Sequence, residues 1–151
     1  MDNTLSWKQH IDSIIPKLNK VCFIIIRLKL YLHKNALKMV YHAFFHSVMS
    51  YGLIFWGNST NSKCVFKIQK QAIRTMMGAR NRDSCRGLFK QLKILPFYAQ
   101  YIYSLVMFVV NNRKLFPDNA ELYTINTRNS YNLHLPLPHL TEFQKVYTMR
   151  E

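Results

Sequence analysis

The chain has 151 residues and is 49% hydrophobic, which excludes a wholly disordered tail and allows one domain with a packed core. Lysine and arginine outnumber aspartate and glutamate by 21 to 7, giving a formal net charge of +14. The excess is uneven: sixteen basic and three acidic residues precede position 97, and five basic and four acidic residues follow. A charge this large and lopsided favours a polyanionic partner, although a solvated basic surface remains an alternative.

The three cysteines are odd in number and far apart, at Cys22, Cys64 and Cys85. No Cys-x-x-Cys pair occurs, so the pattern predicts neither a disulfide framework nor a zinc site. Asp2 and Lys8 interrupt any apolar start, so no secretory signal is expected. We therefore expect an intracellular protein, cytoplasmic or nuclear, with no cofactor or metal held by this chain.

The first predicted element is an amphipathic helix, because apolar residues recur at steps of three and four. Its stripe consists of Trp7, Ile11, Ile14, Leu18, Val21, Ile25, Leu28 and Leu32. Pro16 interrupts the pattern and predicts either a kink or a late helix start after Asp12 and Ser13.

After a break at Leu32-His33, a second helix is predicted with one apolar face. That face consists of Leu37, Val40, Tyr41, Phe44, Val48 and Tyr51. His42 and His46 have a spacing that can bind zinc, but Ala43 stands where a metalloprotease would have glutamate. Two surface histidines are therefore the favoured interpretation. The segment 52–61 is rich in glycine and asparagine and predicts a connector.

A third helix is predicted over 62–77, with Gly78 as its cap. Its inward residues are Val65, Ile68, Ala72, Ile73 and Met76, and its outward cations are Lys63, Lys67, Lys70 and Arg74. An arginine-rich loop and a short helix around 88–92 follow.

Residues 97–110 are apolar nearly all round, yet fewer than the roughly 20 residues that span a bilayer. They predict a helix buried by partners, no membrane span, and some tendency to self-associate. The predicted fold class is mostly α: a helical, thumb-like bundle with an irregular C-terminal tail. The predicted divisions are a basic helical domain at 1–96, an apolar helix packing on it at 97–112, and the tail at 113–151.

Four short motifs occur in a fixed order along the first two-thirds of the chain. They are Leu5-Ser6-Trp7-Lys8-Gln9-His10-Ile11, Tyr51-Gly52-Leu53-Ile54-Phe55-Trp56-Gly57-Asn58, Gln69-Lys70-Gln71-Ala72-Ile73-Arg74 and Asp83-Ser84-Cys85-Arg86-Gly87-Leu88-Phe89. This series resembles the segment just after the catalytic palm in reverse transcriptases of LINE-like, jockey-type non-LTR retrotransposons. The resemblance implies a basic helical thumb here, a tail truncated at Glu151, and an RNA-directed DNA polymerase with Mg²⁺ in an upstream palm.

Catalysis by this chain alone is not expected. Nucleotidyl transfer needs paired carboxylates that hold two divalent metals. Asp2, Asp12 and Asp83 are the acids before position 97, and they are isolated from one another. We therefore predict a fragment that is not an enzyme, lacks the palm domain, and contributes non-sequence-specific grip on template and primer.

The candidate binding residues are the outward cations of the third helix, Lys63, Lys67, Lys70 and Arg74, with Lys34 and Lys38 as a possible extension. Their spacing suits successive phosphates of a duplex or an RNA–DNA hybrid. Arg74 could instead cap carbonyls or pair with Asp83. Two other functions remain open: a stand-alone basic nucleic-acid-binding protein, and a non-functional remnant or protein-interaction module.

Trp7, Phe55 and Trp56 could stack on bases. Each also occupies an apolar step or lies beside a glycine turn, so core packing is the favoured interpretation. Tyr98, Tyr101 and Tyr103 are expected to face other parts of a full-length protein.

Overall fold

The computed structural model describes residues 7–123 and 127–134. The predicted fold class is confirmed, because the described residues are mostly helical and their only β pairing is an isolated bridge between Asp118 and Leu133. The α-helices are α1 (Lys8–Leu28), α2 (Lys34–Val40), α3 (Ser47–Ser50), α4 (Leu53–Trp56), α5 (Ser62–Met77), α6 (Cys85–Leu92), α7 (Phe97–Asn111) and α8 (Asn119–Leu122). A π-helical segment (Tyr41–His46) joins α2 to α3, and a 3-10 helix (Arg113–Leu115) follows α7. Asp2 and the first two residues of the first motif lie outside the described residues.

The apolar stripe predicted for α1 is confirmed. Its middle is buried, at Ile11, Ile14, Leu18, Val21 and Ile25. The predicted late start was wrong, because the helix begins at Lys8 and contains Pro16. Proline costs a helix interior about 3 kcal/mol, whereas each buried isoleucine contributes roughly 1.5–3 kcal/mol. Core packing on both sides of Pro16 therefore outweighs its penalty.

The second predicted helix is continuous but changes geometry in its middle. The buried residues are Leu37, Tyr41, Phe45 and Met49, at uniform steps of four. The predicted inward positions Phe44 and Tyr51 were wrong: their exposed fractions are 55% and 76%. In the π-helical segment the hydrogen bonds span i→i+5, so each turn holds more residues than an α-helical turn. The inward position therefore falls on Phe45 and not on Phe44.

Helix α5 crosses the centre of the core. Val65, Ala72, Ile73 and Met76 are buried, and Ile68 packs against the same cluster, as predicted. Gly78 ends the helix with φ +70°, a left-handed conformation that glycine adopts without a side-chain penalty. The predicted cap is therefore confirmed.

Gln69 was not predicted to face inward, yet its side chain is fully buried. Its Nε2 donates to the Tyr41 hydroxyl at 2.9 Å and to the Leu95 carbonyl at 3.0 Å. Its Oε1 accepts from the Phe97 backbone N–H at 2.8 Å. That N–H begins α7 and has no partner within the helix, so Gln69 caps α7 from a different helix.

The aromatic residues around α4 take different positions. Trp56 is buried, and its Nε1 donates to the Tyr51 carbonyl at 2.9 Å, so core packing is confirmed for it. Phe55 is 66% exposed, and the preference for core packing was wrong there. A one-turn helix buries one side only, and Phe55 instead stacks on the half-buried Trp7 at a ring-centroid distance of 6.3 Å.

The described residues up to Val106 form one compact unit, and those from Met107 form a second. Within the first, Phe97 is buried and packs against Trp56 at 5.5 Å between ring centroids. Ile102 and Tyr103 are more than half exposed. The start of α7 thus belongs to the core, and in its next turn Tyr101 also packs against the core while Ile102 and Tyr103 are exposed.

Among the described residues, no single helix is long and apolar enough to cross a membrane. Helices α6 and α7, bent by 48° at the break between them, meet the length and composition for a crossing when taken together.

The second unit contains the end of α7, the 3-10 helix and α8. Asp118 and Glu121 form a capping box at the start of α8, and Arg113 pairs with Asp118. The Ala120 backbone N–H donates to the Ser130 carbonyl at 2.8 Å, which joins the two described parts of the tail.

Candidate nucleic-acid interface

The four predicted cations of α5 lie on the face opposite the buried one. At about 100° per residue they occupy an arc of roughly 60°, and at about 1.5 Å per residue they extend over about 16 Å of the helix. Lys63 and Lys67 are exposed, whereas Lys70 and Arg74 are half-buried. No acidic residue occurs anywhere in α5. We call Lys63, Lys67, Lys70 and Arg74 the α5 stripe.

Two members of the α5 stripe are held in place by neighbours. The Lys70 Nζ lies 4.7 Å from the centre of the Phe66 ring, a cation–π contact. The Arg74 Nε donates to the Asp83 backbone carbonyl at 3.0 Å. The partner of Arg74 is thus a loop carbonyl outside α5, and the Asp83 carboxylate instead accepts from the Arg80 backbone N–H at 2.8 Å.

Lys34 and Lys38 lie in a different place from the α5 stripe. They line a surface cleft of about 410 Å³ together with Met77, Gln91 and Lys93, among others. None of the four stripe residues lines this cleft. The structure therefore groups Lys34 and Lys38 with Lys93 at the end of α5.

Sequence reasoning missed a second basic cluster. A cleft of about 460 Å³ between α5 and α6 brings Arg82 and Arg86 beside Lys70 and Arg74. The two pairs belong to different elements, and the turn between α5 and α6 brings them together. The density of arginine at positions 80–86 was the available signal.

The histidine pair has the geometry of neighbours on a helix. The rings of His42 and His46 have centroids 5.4 Å apart. Partial burial, then the neighbouring charges of His46 and Lys38, lower the pKa of His42 from its ordinary value. In the described ranges, no group of three or more histidine, cysteine or acidic residues is placed to hold a metal ion.

The described acidic residues are Asp12, Asp83, Asp118 and Glu121. Asp83 orders its own turn, and the last two form the capping box of α8. The surface of the first unit carries many cations beside exposed aromatic and aliphatic side chains, and the cations are suited to holding a polyanion by charge. No protein-family model, no curated protein and no solved structure matches this chain.

Proposed function

We propose that this chain is the thumb-like, post-palm part of a LINE-like reverse transcriptase and grips template–primer nucleic acid without reading its sequence. In this proposal the chain supplies no catalytic group, and an upstream palm supplies the carboxylates and Mg²⁺. The family assignment is based on the four ordered motifs. The binding role is based on the α5 stripe, which is the observation that carries it.

The α5 stripe suits phosphates because all its members are positively charged and helix α5, which carries them, is packed into the core. Helix α5 packs its opposite face into the core through Val65, Ala72 and Ile73, so the cations stand on a fixed support. Phosphate contacts carry no base identity, so such a surface would hold an RNA–DNA hybrid or another duplex alike.

The test is binding of a fluorescent RNA–DNA hybrid across a salt series. Each phosphate contact releases counterions and contributes about −0.9 to the log–log salt slope of a B-form duplex, with a similar order expected for a hybrid. Lys63→Gln with Lys67→Gln should therefore make the slope shallower by roughly two. Glutamine has nearly the helix propensity of lysine, and both positions are exposed, so the fold should persist.

The matched control is Lys17→Gln with Lys20→Gln, which removes the same charge from exposed positions of α1. We expect this pair to leave the slope close to that of the wild type. An equal change in both pairs would mean that net charge alone attracts the hybrid, and an unchanged slope in the α5 pair would refute the proposal for the stripe.

A stand-alone nucleic-acid-binding protein is a second candidate, favoured by the closed core of the first unit. Twenty-one buried apolar residues between Ile11 and Phe97 form one cluster. A core of this kind is expected to fold without a palm. A cooperative melt of the isolated chain, together with hybrid binding that added palm domain does not alter, would favour this candidate over the polymerase fragment.

A further inference from the structure

Two clefts on the first unit adjoin along the beginning of α6. The first, of about 460 Å³, lies between α5 and α6, and the second, of about 490 Å³, lies between α6 and the segment 94–96. Arg86, Phe89 and Pro96 line both. The two clefts therefore lie side by side, and we call them together the α6 groove.

The α6 groove is strongly basic at its rim. Its cations are Lys70, Arg74, Arg82, Arg86, Lys90 and Lys93, and its one acidic residue is Asp83. The Asp83 carboxylate already accepts a hydrogen bond from the Arg80 backbone N–H, and this turn holds it. An excess of five positive charges around one groove selects for a polyanion.

The second half of the groove has an apolar floor, formed by Phe89, Ile94, Leu95 and Pro96. Phe89 and Ile94 are buried, but the Leu95 side chain is 45% exposed and reaches the groove. Arg86 and Lys90 stand at the edge of this floor. A ligand that fits must therefore combine negative charge with flat or apolar groups.

Contacts to α5 hold both sides of the α6 groove in place. The Cys85 thiol lies 3.8 Å from the Lys70 carbonyl, within reach of a weak hydrogen bond between α6 and α5. Gln69 binds the Leu95 carbonyl and the Phe97 N–H, which ties the floor to α5. Because both halves attach to one helix, the groove is formed before a ligand arrives, which lowers the cost of binding.

We propose that the α6 groove binds single-stranded nucleic acid, with phosphates against Arg82 and Arg86 and bases over Leu95 and Pro96. Unpaired bases expose the flat faces that such a floor covers, whereas the bases of a duplex are stacked inside it. The choice of a nucleic acid as the polyanion rests on the proposed function. The groove adds to it a site that shares Lys70 and Arg74 with the α5 stripe but does not include the exposed Lys63 and Lys67.

The first experiment measures anisotropy of a labelled single strand of about 12 nucleotides, within the site sizes typical of such grooves. Arg82→Gln with Arg86→Gln should weaken strand binding at least about tenfold, as expected when two charge-assisted phosphate contacts are lost. Lys63→Gln with Lys67→Gln, an equal loss of charge, should change it less than about threefold. An equal effect of the two pairs would overturn the groove assignment.

The second experiment asks whether bases contribute. An abasic strand of the same length and charge should bind at least about fivefold more weakly than the base-bearing strand, because it lacks the base faces that would bury apolar surface of Leu95 and Pro96. Leu95→Ala should reduce that difference, whereas Leu30→Ala, at a position 78% exposed and outside the groove, should leave it unchanged. Equal affinity of the two strands for the wild-type protein would overturn the proposal.

The hybrid series separates this inference from the proposed function. If the Lys63 and Lys67 pair changes the hybrid salt slope while the Arg82 and Arg86 pair leaves strand binding intact, the groove is refuted and the α5 stripe stands. If the strand binds with the expected dependence and the hybrid does not bind, the duplex grip is refuted and the groove stands.

Discussion

Replacing Gln69 by leucine should destabilise the first unit more than any surface change. The substitution keeps the volume but removes the partners of the Tyr41 hydroxyl and the Phe97 N–H, and both of those residues are fully buried. Each buried polar group left without a partner costs about 1–3 kcal/mol. We therefore expect a loss of about 2–6 kcal/mol, a large fraction of the roughly 5–15 kcal/mol that holds a domain folded.

The assay is equilibrium urea unfolding followed by tryptophan fluorescence, to which the buried Trp56 and the half-buried Trp7 contribute. Gln71→Leu is the matched control, since Gln71 is exposed on the same helix and its replacement should stay within about 0.5 kcal/mol. Tyr41→Phe completes a double-mutant cycle. In the Tyr41→Phe background the hydroxyl is absent, so Gln69→Leu leaves only the Phe97 N–H without a buried partner. The double variant should then cost less than the two single costs added, by about 1–3 kcal/mol.

Two results would refute this reasoning. A Gln69→Leu variant as stable as the Gln71→Leu control would mean that water or rearrangement satisfies the freed groups. Strict additivity in the cycle would mean that Gln69 and Tyr41 do not stabilise each other across the core.

Three other results are expected. Lys93 ends α6 with φ 53°, so Lys93→Gly should raise stability by about 1 kcal/mol in urea unfolding, whereas Lys90→Gly, inside the helix, should lower it by about 1 kcal/mol. In the native state a thiol reagent should modify the exposed Cys64 quickly and the buried Cys22 and Cys85 only slowly, and equal rates for all three would contradict the packing. Burial raises the pKa of the Cys22 thiol from 9.0 to about 11. The buried neutral thiol therefore stabilises the fold fully below pH 9, and this stabilisation is lost as the pH rises towards 11. The urea concentration at the unfolding midpoint should consequently fall less between pH 9 and 11 in Cys22→Ala than in the wild type.

The periodicity of the sequence predicted α1 and α5 well because their apolar residues repeat at the spacing of an ordinary helix. It failed in the second helix, where the π-helical segment moved the inward position from Phe44 to Phe45. No apolar pattern distinguishes a π turn from an α turn. The inward face beyond that point therefore depended on packing that the sequence does not display.

The candidate binding surface also has one part that the sequence predicted and one part that it did not. The α5 stripe could be predicted from spacing along one helix. The α6 groove could not, because Lys70 and Arg86 come together only when the arginine-rich loop folds back. Gln69 was missed for a related reason, since a polar residue in a helix is normally expected to face water, and its three hydrogen-bond partners are more than 25 residues away.

The π-helical segment also makes the second helix tolerant of a change in chain length. A π turn inside an α-helix holds one residue more than the ordinary repeat requires. Ala43 is small and exposed within it. Removing that residue would let the turn relax to α geometry, and Phe45 and Met49 would still face the core, now at steps of three and four. The segment Tyr41–His46 can thus gain or lose one residue while the residues that follow it keep the same face towards the core.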